Sequence, residues 1–364
     1  MSPARTVAIT GLDVVAWPGH GVDAVWDALA AGRRPAGASA TVPEPWLRHQ
    51  VPAELESQAK FLNGASQLAA HAIATALLAA RLDDAGLADD RKGFFAAQVD
   101  PTVIDFAAYR PAMADATDGF RRAADLEQLN AASVRKMNPF YLLETLNNNA
   151  FSLVSAWHGL RGANTSVSGW RTPGLAVVGM AARAVARRDA TAAVAYGAGR
   201  NGGPVTTMEL ARLGLLPAGT VGGDAAAAFV LEGLDDATAR GASPVALVRG
   251  AATGSAGRGT LAAAGRATAL AACAEAGVAL EAVGTVQADT QASLDAVDAG
   301  PRGRLWRQAL GEAGPGSDVA DLALAATSVA RGRRPDGTPA GATALVVAAG
   351  FDGQVAAVLL GRVG

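Results

Sequence analysis

Short, nearly continuous apolar runs alternate along this chain with longer stretches whose apolar positions recur every three or four residues. Thr6 to Gly11 is such a run and reads as a buried first strand. Val22 to Ala31 has helical spacing and meets Gly32 where a helix would stop. Residues 33 to 56 carry four prolines and little period, which predicts loop. Gln58 to Ala85 is the longest helical pattern of the first half, and Gly93 to Val99 reads as a strand. From Asp100 to Asn138 polarity rises, with helical pieces such as Phe120 to Leu129, so residues 100–138 are expected to form an insertion over one face. Pro139 opens a helix through Leu146 to Trp157 that ends at His158-Gly159.

The centre of the pattern is Gly162 to Leu175, G-A-N-T-S-V-S-G-W-R-T-P-G-L. Asn164 to Ser168 alternates polar and β-branched residues as a short strand does, and Gly169 breaks it. Pro173-Gly174 then starts a helix through Ala176 to Arg188. A sharp strand-to-helix turn is where many enzymes expose a nucleophile beside helix N–H groups. The residue at this tip is Arg171, which stays protonated and cannot attack a carbonyl.

Further on, strands are expected at Ala192 to Tyr196, Ala225 to Glu232, Pro244 to Gly250 and Ala282 to Ala288. Helices are expected at Met208 to Leu213, Gly259 to Ala276 and Asp318 to Arg331. Gly197, Gly199 and Gly202 match G-x-G-x-x-G, but mid-chain and followed by Pro204, so the match reads as a glycine-rich loop and not as a dinucleotide site. Two segments echo each other as strand, glycine turn, strand: Ala192 to Gly199 before Ala225 to Glu232, and Ala344 to Gly353 before Gln354 to Arg362. Thr6 to Gly11 and Pro244 to Gly250 open the two halves alike. Repeated β-α units with continuous apolar strands predict a duplicated α/β protein with helices on both sheet faces.

Composition narrows the chemistry. The 364 residues are 50% hydrophobic with a formal net charge of −2, and no basic block invites nucleic acid. The single cysteine, Cys273, sits mid-helix among alanines as a core residue and rules out an intramolecular disulfide or a cysteine-rich metal cluster. The N-terminus shows no signal-peptide pattern, and the longest apolar runs, such as Ala225 to Leu231, are too short to span a bilayer. A cytoplasmic protein with no membrane partner is expected. His158, before a glycine at a helix end, reads as a residue meeting the C-terminal dipole.

The elbow resembles that of β-ketoacyl synthases, G-P-N-x-x-V-S-x-A-C followed by small residues and a glycine; Gly162, Asn164, Val167, Ser168 and Gly174 match. Met137 to Phe140 and Gly159 to Gly162 match the S-P-F … G-L-x-G lead-in, Gly222-Gly223-Asp224 into Phe229-Val230-Leu231-Glu232 the G-[ED]-G-A … V-L-E strand, and Gly350-Phe351-Asp352-Gly353 the final G-F-G-G turn. The resemblance implies the thiolase-like α/β fold, a five-layer αβαβα arrangement of two duplicated halves, here residues 1–243 and 244–364.

That family condenses acyl groups with a cysteine and two histidines. By the resemblance Arg171 stands at the cysteine, Asp289 at the first histidine and Gln308 at the second. The four histidines are His20, His49, His71 and His158, so nothing after His158 can supply an imidazole. Such losses resemble the chain length factors, catalytically inactive subunits that pair with an active ketosynthase in type II polyketide systems. In that branch the loop reads A-D-x-x-x-x-x-x-L-D, and here Ala288-Asp289 precedes Leu294-Asp295 with a shorter gap. The usual replacement for the cysteine there is glutamine, so Arg171 is atypical. The implied partners are an active ketosynthase and, through the complex, an acyl carrier protein; no cofactor or metal is implied.

Phe140, Tyr141 and Leu142 read equally as ordinary core or, by the same resemblance, as residues beside a dimer interface and an acyl tunnel. Asn164, Thr165, Ser166, Val167 and Ser168 would pair across the twofold axis with the partner's strand. An arginine at a helix start opposes the helix dipole unless a carboxylate compensates, and Asp289 is the expected partner of Arg171. Two other functions stay open: acyl transfer or hydrolysis using Asp289 with Ser168 or Thr172, and a scaffold that stabilises its partner without touching substrate.

Overall fold

The computed structural model describes residues 5–37, 39–42, 53–99, 106–136, 146, 148–216 and 219–364. The first strand, β1 (Val7–Ala16), is buried along its whole length, as an apolar run covered on both faces must be. The short β2 (Gly19–His20) folds back on β1 and leads into helix α1 (Val22–Ala30). After the two-residue β3 (Ser39–Ala40) and a 3-10 stretch at Ala53–Phe61, Asn63 caps helix α2 (Gly64–Ala80) by accepting the Ser66 N–H. The expected single helix over Gln58 to Ala85 is therefore broken at its start by this cap.

Next come β4 (Lys92–Val99), α3 (Phe106–Ala116), α4 (Leu126–Lys136), α5 (Asn149–His158) and β5 (Asn164–Val167). The expected helix over Phe120 to Leu129 is instead a turn followed by α4, and α3 packs against α4. Helix α6 (Pro173–Ala186) leads to β6 (Ala192–Arg200), α7 (Pro204–Arg212), β7 (Gly222–Gly233) and α8 (Leu234–Ala239). The chain closes with β8 (Ala246–Ser255), α9 (Leu261–Glu275), β9 (Thr285–Ala288), α10 (Gln291–Ala296), β10 (Gly303–Arg304), α11 (Arg307–Leu310), α12 (Pro315–Arg331), β11 (Thr343–Ala349) and β12 (Gln354–Gly361).

The strands show the duplication directly. In spatial order they run β5-β4-β6-β7-β1 and β10-β9-β11-β12-β8. Numbered within its own half, each set reads third, second, fourth, fifth, first. In each set the fifth strand, β7 or β12, runs antiparallel to its neighbours. The second strand pairs parallel with the third and fourth. A three-residue antiparallel ladder between β1 and β8, Val7 with Val248 through Ile9 with Ala246, joins the sets. The echo in sequence is thus a repeat of topology, although α7 interrupts the turn expected between β6 and β7.

Three apolar clusters separate five layers. One joins the inner faces of both sets (Ile9, Phe229, Val346, Val358) to α6 and α12. A second packs α2 and α5 on the outer face of the first set, and a third packs α9 and α10 on the second. Cys273 belongs to that third cluster, 1% exposed, as expected of a core residue. Every residue of α12 from Pro315 to Val329 is buried. The glycines of the G-x-G match lie within β6, where a Cβ at Gly197 would meet the Pro315 carbonyl at 2.6 Å. The absent side chains of Gly197 and Gly199 admit the start of α12 against the sheet, so those two glycines belong to a strand and only Gly202 lies in the loop that follows. No described helix is long and apolar enough to cross a membrane.

Candidate functional site: an ionic cluster at the elbow

The elbow forms as the sequence predicts: β5 ends at Val167, a turn carries Trp170 to Thr172, and Pro173 occupies the first turn of α6. Thr172 sits at φ 83° and ψ −34°, a costly conformation for a β-branched residue. Its N–H donates to Asp318 Oδ2 at 2.7 Å, so a carboxylate from α12 holds the strained turn and sits at the positive end of α6.

Arg171 is 7% exposed and points inward. Its Nε donates to Glu312 Oε2 at 3.1 Å and its Nη2 to the Leu215 carbonyl at 2.7 Å. The partner of Arg171 is therefore Glu312, correcting the expectation of Asp289. Asp289, at the end of β9, accepts the Ser293 hydroxyl at 2.7 Å on Oδ1 and the Ala349 N–H at 3.0 Å on Oδ2. Those bonds tie it to α10 and to the end of β11, so it cannot turn towards Arg171 without leaving two donors unpaired.

The second cation of the site is Arg307, 1% exposed, beside the predicted Gln308. It donates from Nε to Asp321 at 2.9 Å, from Nη1 to Glu312 at 3.1 Å and from Nη2 to Asp318 at 2.5 Å. Glu312 Oε2 thus bridges the two guanidiniums, while its Oε1 accepts the Gly314 N–H at 2.8 Å. Gln308 is half-buried and faces Gly219 instead.

Burial works against the charge of Arg307, but Glu312, Asp318, Asp321 and Asp289 outweigh it and hold the guanidinium protonated. Burial pushes Asp318 up to about 7 and Asp321 to about 6, with Arg307 only partly opposing. The physical reason is the count: four carboxylates face two guanidiniums in a dry core, which retains protons on the excess acids.

The Gly350 turn after β11, whose strand end is bonded to Asp289, approaches the Arg171 carbonyl, and Phe351 faces Trp170 at 6.4 Å; sequence reading singled out Arg171 and Asp289. It missed Arg307, Glu312, Asp318 and Asp321. A signal existed: Asp318 and Asp321 stand three apart in an alanine-rich helix, which marks one polar face. Phe140, Tyr141 and Leu142 lie outside the described residues. His158, in the last turn of α5, has its pKa lowered by burial, which favours the neutral ring. Among the described residues no group of three or more His, Cys, Asp or Glu is arranged to hold a metal ion.

The side chain at the elbow tip is a guanidinium held by Glu312, and a protonated guanidinium does not attack a carbonyl. Replacing Arg171 by alanine leaves Glu312 with one cation instead of two. The expected loss is about 1–3 kcal/mol of stability, read from urea denaturation. An unchanged midpoint would show that Arg171 does not support the core.

Comparison with known proteins fits this geometry. The family model for the β-ketoacyl synthase N-terminal domain matches residues 4–237. Over 136 residues the chain is 35% identical to 3-oxoacyl-[acyl-carrier-protein] synthase 2 of Vibrio cholerae serotype O1, a match spanning 32% of this chain and 32% of that protein. Among solved structures, the ishigamide ketosynthase/chain length factor superposes with TM-score 0.80 at 20% identity, covering 99% of this chain and 100% of that one. The ketosynthase of a type II polyketide synthase, in complex with its acyl-carrier protein, superposes with TM-score 0.78 at 18% identity, covering 99% and 100%. With the repeated strand order, the buried central helices and the family match over most of the first half, this chain belongs to the β-ketoacyl synthase family.

Proposed function

We propose that this chain is a non-catalytic ketosynthase-like subunit, a chain length factor, that pairs with an active ketosynthase of a type II polyketide system and helps shape its acyl tunnel. The observation that carries the reading is the elbow itself. Where the family places its nucleophile, Arg171 is locked by Glu312 into a buried ionic cluster with Arg307. Covalent catalysis needs a nucleophile and a base within hydrogen-bond reach. No histidine follows His158 in the chain, and both oxygens of Asp289 are already hydrogen-bonded. Acyl transfer or hydrolysis around Asp289 is therefore the weaker reading.

Two surfaces support a partner. β5 ends its sheet, with a free edge among the described residues and side chains alternating exposed and half-buried. An open edge of this kind invites pairing with another chain. Central helix α6, largely buried, leaves Met180 40% exposed. A large, apolar, obligate interface is the expected use of these features. The neighbours' own descriptions, a ketosynthase/chain length factor and a ketosynthase with its acyl-carrier protein, suggest an active ketosynthase as partner and a carrier protein reached through the complex.

The test is co-expression of the tagged chain with the active ketosynthase of the same pathway, followed by light scattering. A stable one-to-one complex that elongates acyl chains only through the partner's cysteine is expected. A homodimer that ignores the ketosynthase, or acyl-thioester turnover by this chain alone that Asp289→Asn abolishes, would overturn the proposal.

A further inference from the structure

On the side of the molecule away from the elbow, a cleft opens where the two strand sets meet. Its walls are the start of β1, the Val248–Ala251 stretch of β8, the C-terminal half of α6 and the end of α9. Three arginines line it: Arg5, Arg183 and Arg249. The ionic cluster described above uses none of them.

Each arginine is placed by a specific local feature. In the ladder between β8 and β12, Val248 and Gly250 pair with Leu360 and Leu359, and Arg249 is the extra, bulged residue. A bulge re-aims its side chain, and Arg249 is exposed with no hydrogen-bond or ion-pair partner among the described residues. Its stem lies across Gly361, where a Cβ would meet Arg249 Cγ at 2.9 Å. Arg5 lies in the same way across Gly233, whose Cβ would clash with the guanidinium. Gly233 and Gly361 are the last residues of the fifth strand of each set, so the two halves each supply one groove for an arginine. Arg183, half-buried on α6, donates one bond, to the Ala251 carbonyl at 2.5 Å, and keeps its other N–H groups free for a ligand.

The negative groups facing the cleft are few. Asp236 pairs with Arg5, and Glu275 Oε2 already accepts the Ala251 N–H at 2.9 Å. The C-terminal end of α6 adds a partial negative charge, which Arg183 in its last turn offsets. Three guanidiniums thus face two carboxylates, within a chain of net charge −2. Planar guanidinium forks match phosphate oxygens two at a time.

We propose that this cleft is a binding site for a phosphate group, free or as the terminal monoester of a small metabolite, held by Arg183 and Arg249 with Arg5 at its rim. The proposal does not depend on the subunit reading above. The full chain, in its soluble assembly, would be titrated calorimetrically with inorganic phosphate and with glycerol phosphate at constant ionic strength. Saturable binding of either is expected, and the tighter of the two identifies the source of the group. Arg249→Ala, a change at an exposed residue, is expected to weaken binding about tenfold or more. Arg249→Lys is expected to recover only part of the loss, and Glu275→Gln to tighten binding. Absence of saturable binding by the wild-type chain, or equal binding by wild type and Arg249→Ala, would overturn the proposal.

Discussion

Replacing Arg307 by methionine is expected to cost about 3–5 kcal/mol of folding stability, the largest effect of any single change at the elbow cluster. Arg307 is 1% exposed and donates to three carboxylates, all of them 1% exposed or less. Methionine fills a similar volume, so the loss reads the cost of unpaired buried acids and not of a cavity. Urea denaturation measures it. The control is Arg307→Met combined with Asp318→Asn and Asp321→Asn, which removes much of the stranded charge and is expected to recover part of the loss. A single variant as stable as wild type would show that the cluster is not what holds α11 and α12 together.

The second large effect is on pH dependence. An aspartate in the unfolded chain releases its proton near 3.8, whereas burial raises Asp318 to about 7 and Asp321 to about 6 in the folded core. Between those values the folded protein binds protons that the unfolded chain has lost. Their contribution to stability is therefore fully present below 3.8 and is lost as pH rises through the folded values. Asp13, raised by burial to about 7 on β1, acts in the same direction, whereas His71, lowered to about 4 by burial and by His20, acts against it. The difference between wild type and Asp318→Asn isolates one group. Asparagine keeps an oxygen for the Thr172 N–H but carries no titrating proton. Between pH 5 and 7, wild-type stability is expected to fall more steeply than that of the variant, by up to about 1.4 kcal/mol per pH unit. Parallel slopes would show that Asp318 does not titrate in this window.

Both effects have one origin. A nucleophile elbow exists to present a side chain to substrate at the end of a helix, and this chain retains the strand, the turn and the helix. Asp318 holds Thr172 in its strained conformation, and Glu312 bridges Arg171 to Arg307. The region is built as a charged core.

Much of this is legible in the amino-acid sequence. Continuous apolar runs such as Ala225 to Leu231 become strands buried on both faces, because only a sheet covered by helices on each side accepts them. The elbow was readable from local chemistry: alternation over Asn164 to Ser168, a glycine, then proline at the first turn of a helix. The duplication was audible as an echo because each half must build the same strand-and-helix unit, and the repeated strand order confirms it.

The partner of Arg171 was decided only by tertiary structure. Asp289 and Glu312 are both far from Arg171 in sequence, and nothing local distinguishes them as ligands. The choice follows from packing: Ser293 and Ala349 engage Asp289, while the loop before α12 carries Glu312 between Arg171 and Arg307. Sequence by itself determined that the elbow carries a cation and that no imidazole follows His158, since both are facts of residue identity. Tertiary structure decided how that cation is neutralised, because long-range electrostatics depends on which carboxylates the fold brings within hydrogen-bond reach in a dry core.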